Sequence, residues 1–285
     1  MTGASLWVVD RGSHLLATLN RPEKRNAIDR DLIDSLHLLC ARLEVERRTL
    51  VLTGSGGDFA AGADIAQLRE RGATEALAGI NTRAFQRVRA LPMPVIAVLD
   101  GYALGGGAEL AYAADIRIAT PTLRIGNPET GLGIIAAAGA TWRLQEIVGD
   151  ALAAEMLLTG RLLGADEALA AGLVTAVLEP EAALAKAVEL AERIAGLDPA
   201  ATQATKRALQ APASAHPEID LAEQAVLFES PEKHRRMTAF LERRSRAAAD
   251  TDAGRGDRPA ASSAPADAEH GDAAAVREPR REETP

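Results

Sequence analysis

Two glutamates twenty residues apart, Glu109 and Glu129, each stand beside a glycine-rich turn, and two carboxylates brought to one pocket can move protons in opposite directions. Glu109 belongs to the run GYALGGGAELAYAAD, 101 to 115, where three consecutive glycines separate an apolar strand from a helix beginning Ala-Glu-Leu. Glycine permits close backbone approach, and a helix N-terminus offers unpaired N–H groups and the positive end of the dipole, a setting suited to a developing oxyanion. The same residues also suit a tight strand-to-helix junction in which Glu109 only complements the dipole. Glu129 follows Pro128 in GNPETGLG, 126 to 133, after the short strand expected over 123 to 125. It can face Glu109 across a pocket and share a water, or serve as a solvated loop carboxylate capping a nearby N–H. A third run, GDFAAGADI at 57 to 65, presents Ala63 as a second backbone donor, and equally presents Asp64 as the cap of the next helix.

These runs need a scaffold that ends strands at one pocket, and the patterning predicts one. Leu6 to Val9 and Leu15 to Leu19 read as paired strands around Asp10-Arg11-Gly12, and Thr49 to Thr53 reads as a buried strand. Leu32, Ile33, Leu36, Leu39 and Leu43 recur at helical spacing, a polar helix is expected near 73 to 90, and PVIAVLDG at 94 to 101 is a further buried strand. From about 136 the patterns turn helical, apart from a short strand expected over 173 to 177. Alternating strands and helices imply an α/β architecture. The organisation expected is a core over 1–196 with the active site, a helical lobe over 197–249 and a disordered tail over 250–285. That tail has no Leu, Ile, Phe, Tyr or Trp, and its five Arg against nine Asp and Glu leave a net charge of −4.

Composition narrows the function. A formal net charge of −8 over 285 residues argues against a nucleic-acid binder, and 47% hydrophobic with 25% charged residues fits a soluble globular chain. Cys40 is the only cysteine, which excludes an intramolecular disulfide and a cysteine-rich metal site. No secretory signal and no membrane-length apolar run are read, so a cytoplasmic protein is expected. His14, His37, His216, His234 and His270 lack ligand spacing, and no metal is expected. A GxSxG elbow is absent, and the loose GxGxxA at Gly131, Gly133 and Ala136 follows no strand.

GDFAAGADI, GYALGGGAEL and NPETGLGII, in that order, resemble the signature regions of the enoyl-CoA hydratase/isomerase (crotonase) superfamily, closest to enoyl-CoA hydratase. The likeness spans about residues 6 to 248, with LNRPEKRNAID (19–29), MLLTGRLLGADEALAAGLV (156–174) and MTAFLERRSR (237–246) also similar. It implies a crotonase (ClpP-like) fold, a spiral of ββα units with a C-terminal helical oligomerisation lobe, assembling homotrimers or dimers of trimers. It implies hydration of a 2-trans-enoyl-CoA to a 3-hydroxyacyl-CoA in fatty acid or related acyl-CoA degradation, with coenzyme A as part of the substrate and no tightly bound cofactor. By resemblance, Ala63 and Gly106 are the oxyanion donors, Glu109 activates water and Glu129 exchanges a proton with the α-carbon. Ala61, Asp64 and Ile65 match the loop that holds adenine and pantetheine, Lys24, Arg25 and Arg243 match the basic edge near the cofactor phosphates, and Gly105, Pro128, Gly131 and Trp142 belong to the substrate pocket.

Alternatives are an enoyl-CoA isomerase, which needs one carboxylate, and a non-catalytic crotonase-fold acyl-CoA-binding protein. The chain departs from the family at 135 to 144, where hydratases commonly read I-P-G-A-G-G-T-Q-R-L and this chain reads IAAAGATWRL. Alanines replace proline and glycine there, and Trp142 replaces glutamine, a change that bears on acyl-chain length or a subunit contact more than on reaction class.

Overall fold

The computed structural model of the protein describes residues 5–253. β1 (Leu6–Asp10) and β2 (His14–Leu19) pair antiparallel, and the turn between them uses Gly12 at positive φ with its N–H bonded to the Asp10 carboxylate. α1 (Arg30–Glu46) is capped by Asp29, whose carboxylate accepts from the Leu32 N–H at 2.8 Å. Its apolar stripe is buried, as the spacing predicts. β3 (Thr49–Gly54) follows.

α2 (Ile65–Arg69) follows the loop after β3, and where one polar helix is expected near 73 to 90 two short ones form, α3 (Ala73–Ala78) and α4 (Ile80–Arg89). Gly79 causes the interruption, and Gly72 separates α3 from α2. Gly72 is extended at the start of α3, and Gly79 takes φ +61, a left-handed conformation that ends one helix and begins the next. β4 (Val95–Leu99), β5 (Tyr102–Leu104), α5 (Gly106–Tyr112), β6 (Ile116–Ala119) and β7 (Arg124–Gly126) complete the half that carries the motifs. The second half adds α6 (Gln145–Val148), α7 (Asp150–Thr159), β8 (Leu163–Gly164), α8 (Ala165–Ala170), β9 (Ala176–Val177), α9 (Pro180–Ala195), α10 (Pro199–Gln210), α11 (Glu218–Phe228) and α12 (Pro231–Ala253). The strand expected over 173 to 177 is thus only its last two residues.

The main sheet has the order β1-β2-β3-β4-β6-β9 and is parallel except for β1, and a smaller sheet runs β5-β7-β8. The central strands bury both faces, as parallel strands require. Leu50, Leu52, Ala97 and Leu99 face the larger core with α1 and α5, while Val51, Ile96, Val98 and Ile118 pack on Ala183, Ala187 and Ala191 of α9. Alanines on that helix face let it lie close to the sheet.

The chain divides into two units, one ending at Ser230 and the other beginning at Pro231. The boundary expected at 196 falls inside the first. There α10 is anchored by buried Lys206, whose Nζ pairs with Asp115 at 2.7 Å and donates to the Met93 carbonyl at 3.1 Å. Such a cation is tolerable in the interior only because it is paired. Of the expected 250–285 tail, 250 to 253 continue α12 and the rest lies outside the described residues. No helix among the described residues is long and apolar enough to cross a membrane.

Candidate active site

The loop after β3 is held as a ribbon between β5 and the segment 25 to 28. Phe59 N–H donates to Asp100 O, Ala60 N–H to Tyr102 O and Leu104 N–H to Ala60 O, which fastens the ribbon to β5. On its other side Ala61 N–H donates to Arg25 O, Ile28 N–H to Gly62 O and Asp64 N–H to Ile28 O. Gly62, at φ +107, turns the chain between the two sets of bonds. This pattern uses the N–H groups of Ala61 and Asp64 and the carbonyl of Gly62, and leaves the Ala63 N–H without a partner among the described residues.

β5 delivers the second donor. Gly105 sits at φ +51, and a Cβ there would lie 3.0 Å from Glu129 Oε1, so this position is open to glycine and closed to larger residues. A Cβ on Gly107 would lie 2.1 Å from the Ala60 carbonyl oxygen, so α5 can rest against the ribbon only with glycine there. Gly106, between them, begins α5, and its N–H has no partner among the described residues. The Ala63 nitrogen lies 3.7 Å from where a Gly106 Cβ would stand, so the two unpaired donors are neighbours.

Glu109, in the first turn of α5, is buried. Its Oε1 accepts from the Ala138 N–H at 2.6 Å and the Ala140 N–H at 3.2 Å, where the chain enters a π-helical turn at Ala140–Leu144. Burial outweighs these bonds and, with the charge of Glu129 nearby, raises the carboxyl to about 7. Glu129 lies in the 3₁₀ turn Pro128–Leu132. The buried Asn127 amide donates to its Oε1 at 3.4 Å, and the fully buried Tyr112 hydroxyl donates to the Asn127 carbonyl at 3.1 Å. Glu129 Oε2 is buried without a partner among the described residues, and burial raises this carboxyl too. Leaving a carboxylate oxygen unsatisfied in the interior costs stability and signals a function.

Glu109, Glu129, Ala63 and Gly106 line one cavity of about 510 Å³. Ala61, Ile65, Gly105 and Pro128 line it as well, and exposed Leu132, Ile134 and Ile135 give it an apolar rim. Other expected site residues are not on its wall. Asp64 caps α2, accepting from Ala66 N–H at 3.2 Å, and pairs with Arg21 at 3.6 Å. Gly131 is exposed and does not line the cavity. Trp142 is drawn away by its π-helical turn and stacks with Arg89, whose guanidinium lies 5.9 Å from the ring, so it does not belong to this pocket. Lys24 and Arg25 are exposed, and Arg25 lies over the Tyr102 ring at 5.1 Å, with its carbonyl bracing Ala61. Arg243 is exposed on α12, in the second unit, whereas the cavity is lined by the first alone.

Residues outside the motifs also build the wall. Leu68, Arg71, Glu75, Ala76, Asn81 and Thr82 come from the broken helical stretch α2 to α4. Backbone donors such as Ala138 and Ala140 leave no mark in residue type, and Asn127 gave only the signal of lying two residues before Glu129.

The family model described as enoyl-CoA hydratase/isomerase matches residues 12–249. A short-chain-enoyl-CoA hydratase of Clostridium acetobutylicum is 36% identical over 242 residues, 82% of this chain and 93% of the relative. A 2,3-dehydroadipyl-CoA hydratase of Escherichia coli is 37% identical over 237 residues, 81% of this chain and 93% of the relative. Among solved structures, an enoyl-CoA hydratase from Bacillus anthracis superposes with a TM-score of 0.79 at 31% identity, covering 84% of this chain and 96% of that one.

Proposed function

The chain belongs to the enoyl-CoA hydratase/isomerase family and has its crotonase fold, and from that premise we propose how this cavity adds water to a 2-enoyl-CoA thioester. The protein is an enoyl-CoA hydratase, a hydro-lyase. The observation that carries the site assignment is that two buried carboxyls with raised protonation lie on one cavity beside two adjacent backbone N–H groups unpaired among the described residues.

The thioester carbonyl oxygen binds between the Ala63 and Gly106 donors, which stabilise the charge that develops there as water attacks C3. Glu109 accepts the proton of that water. Its own position is fixed by the Ala138 and Ala140 N–H groups, so it meets the water without rearranging. Glu129 delivers a proton to C2 from its free Oε2. A group whose protonation is raised toward neutrality can serve in either direction at ordinary pH. The presence of two carboxyls on one cavity favours hydration over double-bond migration, which needs only one. The acyl group enters past Leu132, Ile134 and Ile135, and the ribbon residues Ala61 and Ile65 support the pantetheine arm.

The same reading assigns the enzyme to fatty acid or related acyl-CoA degradation and assembles it as a trimer or a dimer of trimers. The exposed apolar side chains Leu221 and Val226 of α11 support assembly.

The reading is tested by mixing purified protein with four- and six-carbon 2-enoyl-CoA thioesters and following loss of the conjugated absorbance. Conversion to 3-hydroxyacyl-CoA, identified by mass, is expected. Binding without turnover, or migration of a 3-enoyl double bond without hydration, would overturn it.

A further inference from the structure

One wall of the cavity carries a cation that the hydration chemistry does not use. Arg71, between α2 and α3, is half-buried and is the single Lys or Arg among the residues lining the cavity. No carboxylate lies within ion-pair distance of it among the described residues, and its one side-chain hydrogen bond is a long one, Nη1 to Asn81 Oδ1 at 3.5 Å. Glu75, which also lines the cavity, is instead turned back on its own helix, where Oε2 accepts from the Gly72 N–H at 2.9 Å. The remaining charged side chains lining the space are Glu109 and Glu129, the pair assigned to the reaction. An arginine on a cavity wall with no carboxylate paired to it and most of its five donors unused is an anion site waiting for a ligand.

The position of that site relative to the reaction centre is set by one side chain. Asn81 accepts from Arg71 through Oδ1, and its Nδ2 lies 3.6 Å from where a Gly106 Cβ would stand. The guanidinium is therefore one amide group removed from the oxyanion donors. An acyl chain of a few carbons whose thioester oxygen sits at those donors can therefore reach Arg71.

We propose that Arg71 is a specificity residue that binds a carboxylate at the far end of the acyl chain, so that the preferred substrate is a short 2-enoyl-CoA with an ω-carboxylate. This rests on the hydratase reading and names the substrate class of the same cavity. Asn81 is its positioning residue, holding the guanidinium toward the cavity. A planar guanidinium can grip a carboxylate with two parallel bonds, which lysine cannot reproduce.

The test compares the six-carbon 2-enoyl-CoA with and without a terminal carboxylate, in wild type, Arg71→Met and Arg71→Lys. The wild type is expected to favour the carboxylate in kcat/KM. In Arg71→Met the ratio of the two kcat/KM values should fall about 10- to 100-fold, mainly through KM, with Arg71→Lys intermediate. An unchanged ratio overturns the proposal, and if both substrates lose equally while inhibition by free coenzyme A also weakens, Arg71 holds a cofactor phosphate instead. Calorimetric binding of the saturated six-carbon acyl-CoA with and without the carboxylate reads the same ratio without turnover. A binding preference lost in Arg71→Met, with no hydration of either enoyl, would sink the hydratase reading and sustain the anion site; no preference alongside normal hydration would do the reverse.

Discussion

At Glu109 the competing influences can be ranked. Two backbone N–H groups favour its ionised form, yet burial and the neighbouring Glu129 prevail and raise the carboxyl to about 7 from an ordinary 4.5. If the ionised form is the base, kcat/KM should climb about tenfold per pH unit below 7 and level off above it, and a pH–rate profile checks this. Stability has the opposite sign. Because the folded carboxyl holds its proton to higher pH than the unfolded one, its contribution is fully present below 4.5 and is lost as pH rises through 7, on the order of 3 kcal/mol in all. Glu109→Gln should therefore melt higher than wild type at pH 8 and show little gain at pH 4.5. A variant no more stable at pH 8 would mean that the site stores no such penalty.

At the scale of elements, the close approach of α5 to the ribbon 59–64 makes the two donors neighbours. Gly107→Ala places a methyl 2.1 Å from the Ala60 carbonyl oxygen, so it should destabilise the fold by about 1–3 kcal/mol and reduce kcat by separating Ala63 from Gly106. Denaturant midpoints and kinetics on the same preparation check both. The strand-turn-helix around Gly105–Gly107, the ribbon and the turn of Glu129 were legible because each combines glycine or proline with a change of hydrophobic period. The Ala138 and Ala140 donors were not, since a backbone N–H has no residue signature. The stretch 73 to 90 was read as one helix because its polar surface gives no period with which to locate the break at Gly79. Trp142 was misplaced for a related reason: position in a motif fixes neither the π-helical turn at 140–144 nor the direction of a large side chain on it.

At the scale of the whole molecule, Leu221 and Val226 stand exposed on α11 and offer it an apolar face. With the proposed assembly, sedimentation should give a trimer or hexamer, and Leu221→Asp with Val226→Asp should shift it toward smaller species; a monomeric wild type would contradict that proposal. The central claim, however, is that two carboxyls act on one bound thioester, and it is tested most directly by hydration of crotonyl-CoA in Glu109→Gln and Glu129→Gln beside binding of butyryl-CoA. Each substitution should lower kcat by about 10²- to 10⁴-fold while the saturated thioester still binds. Hydration at the wild-type rate in either variant would contradict the assignment of that glutamate to the reaction.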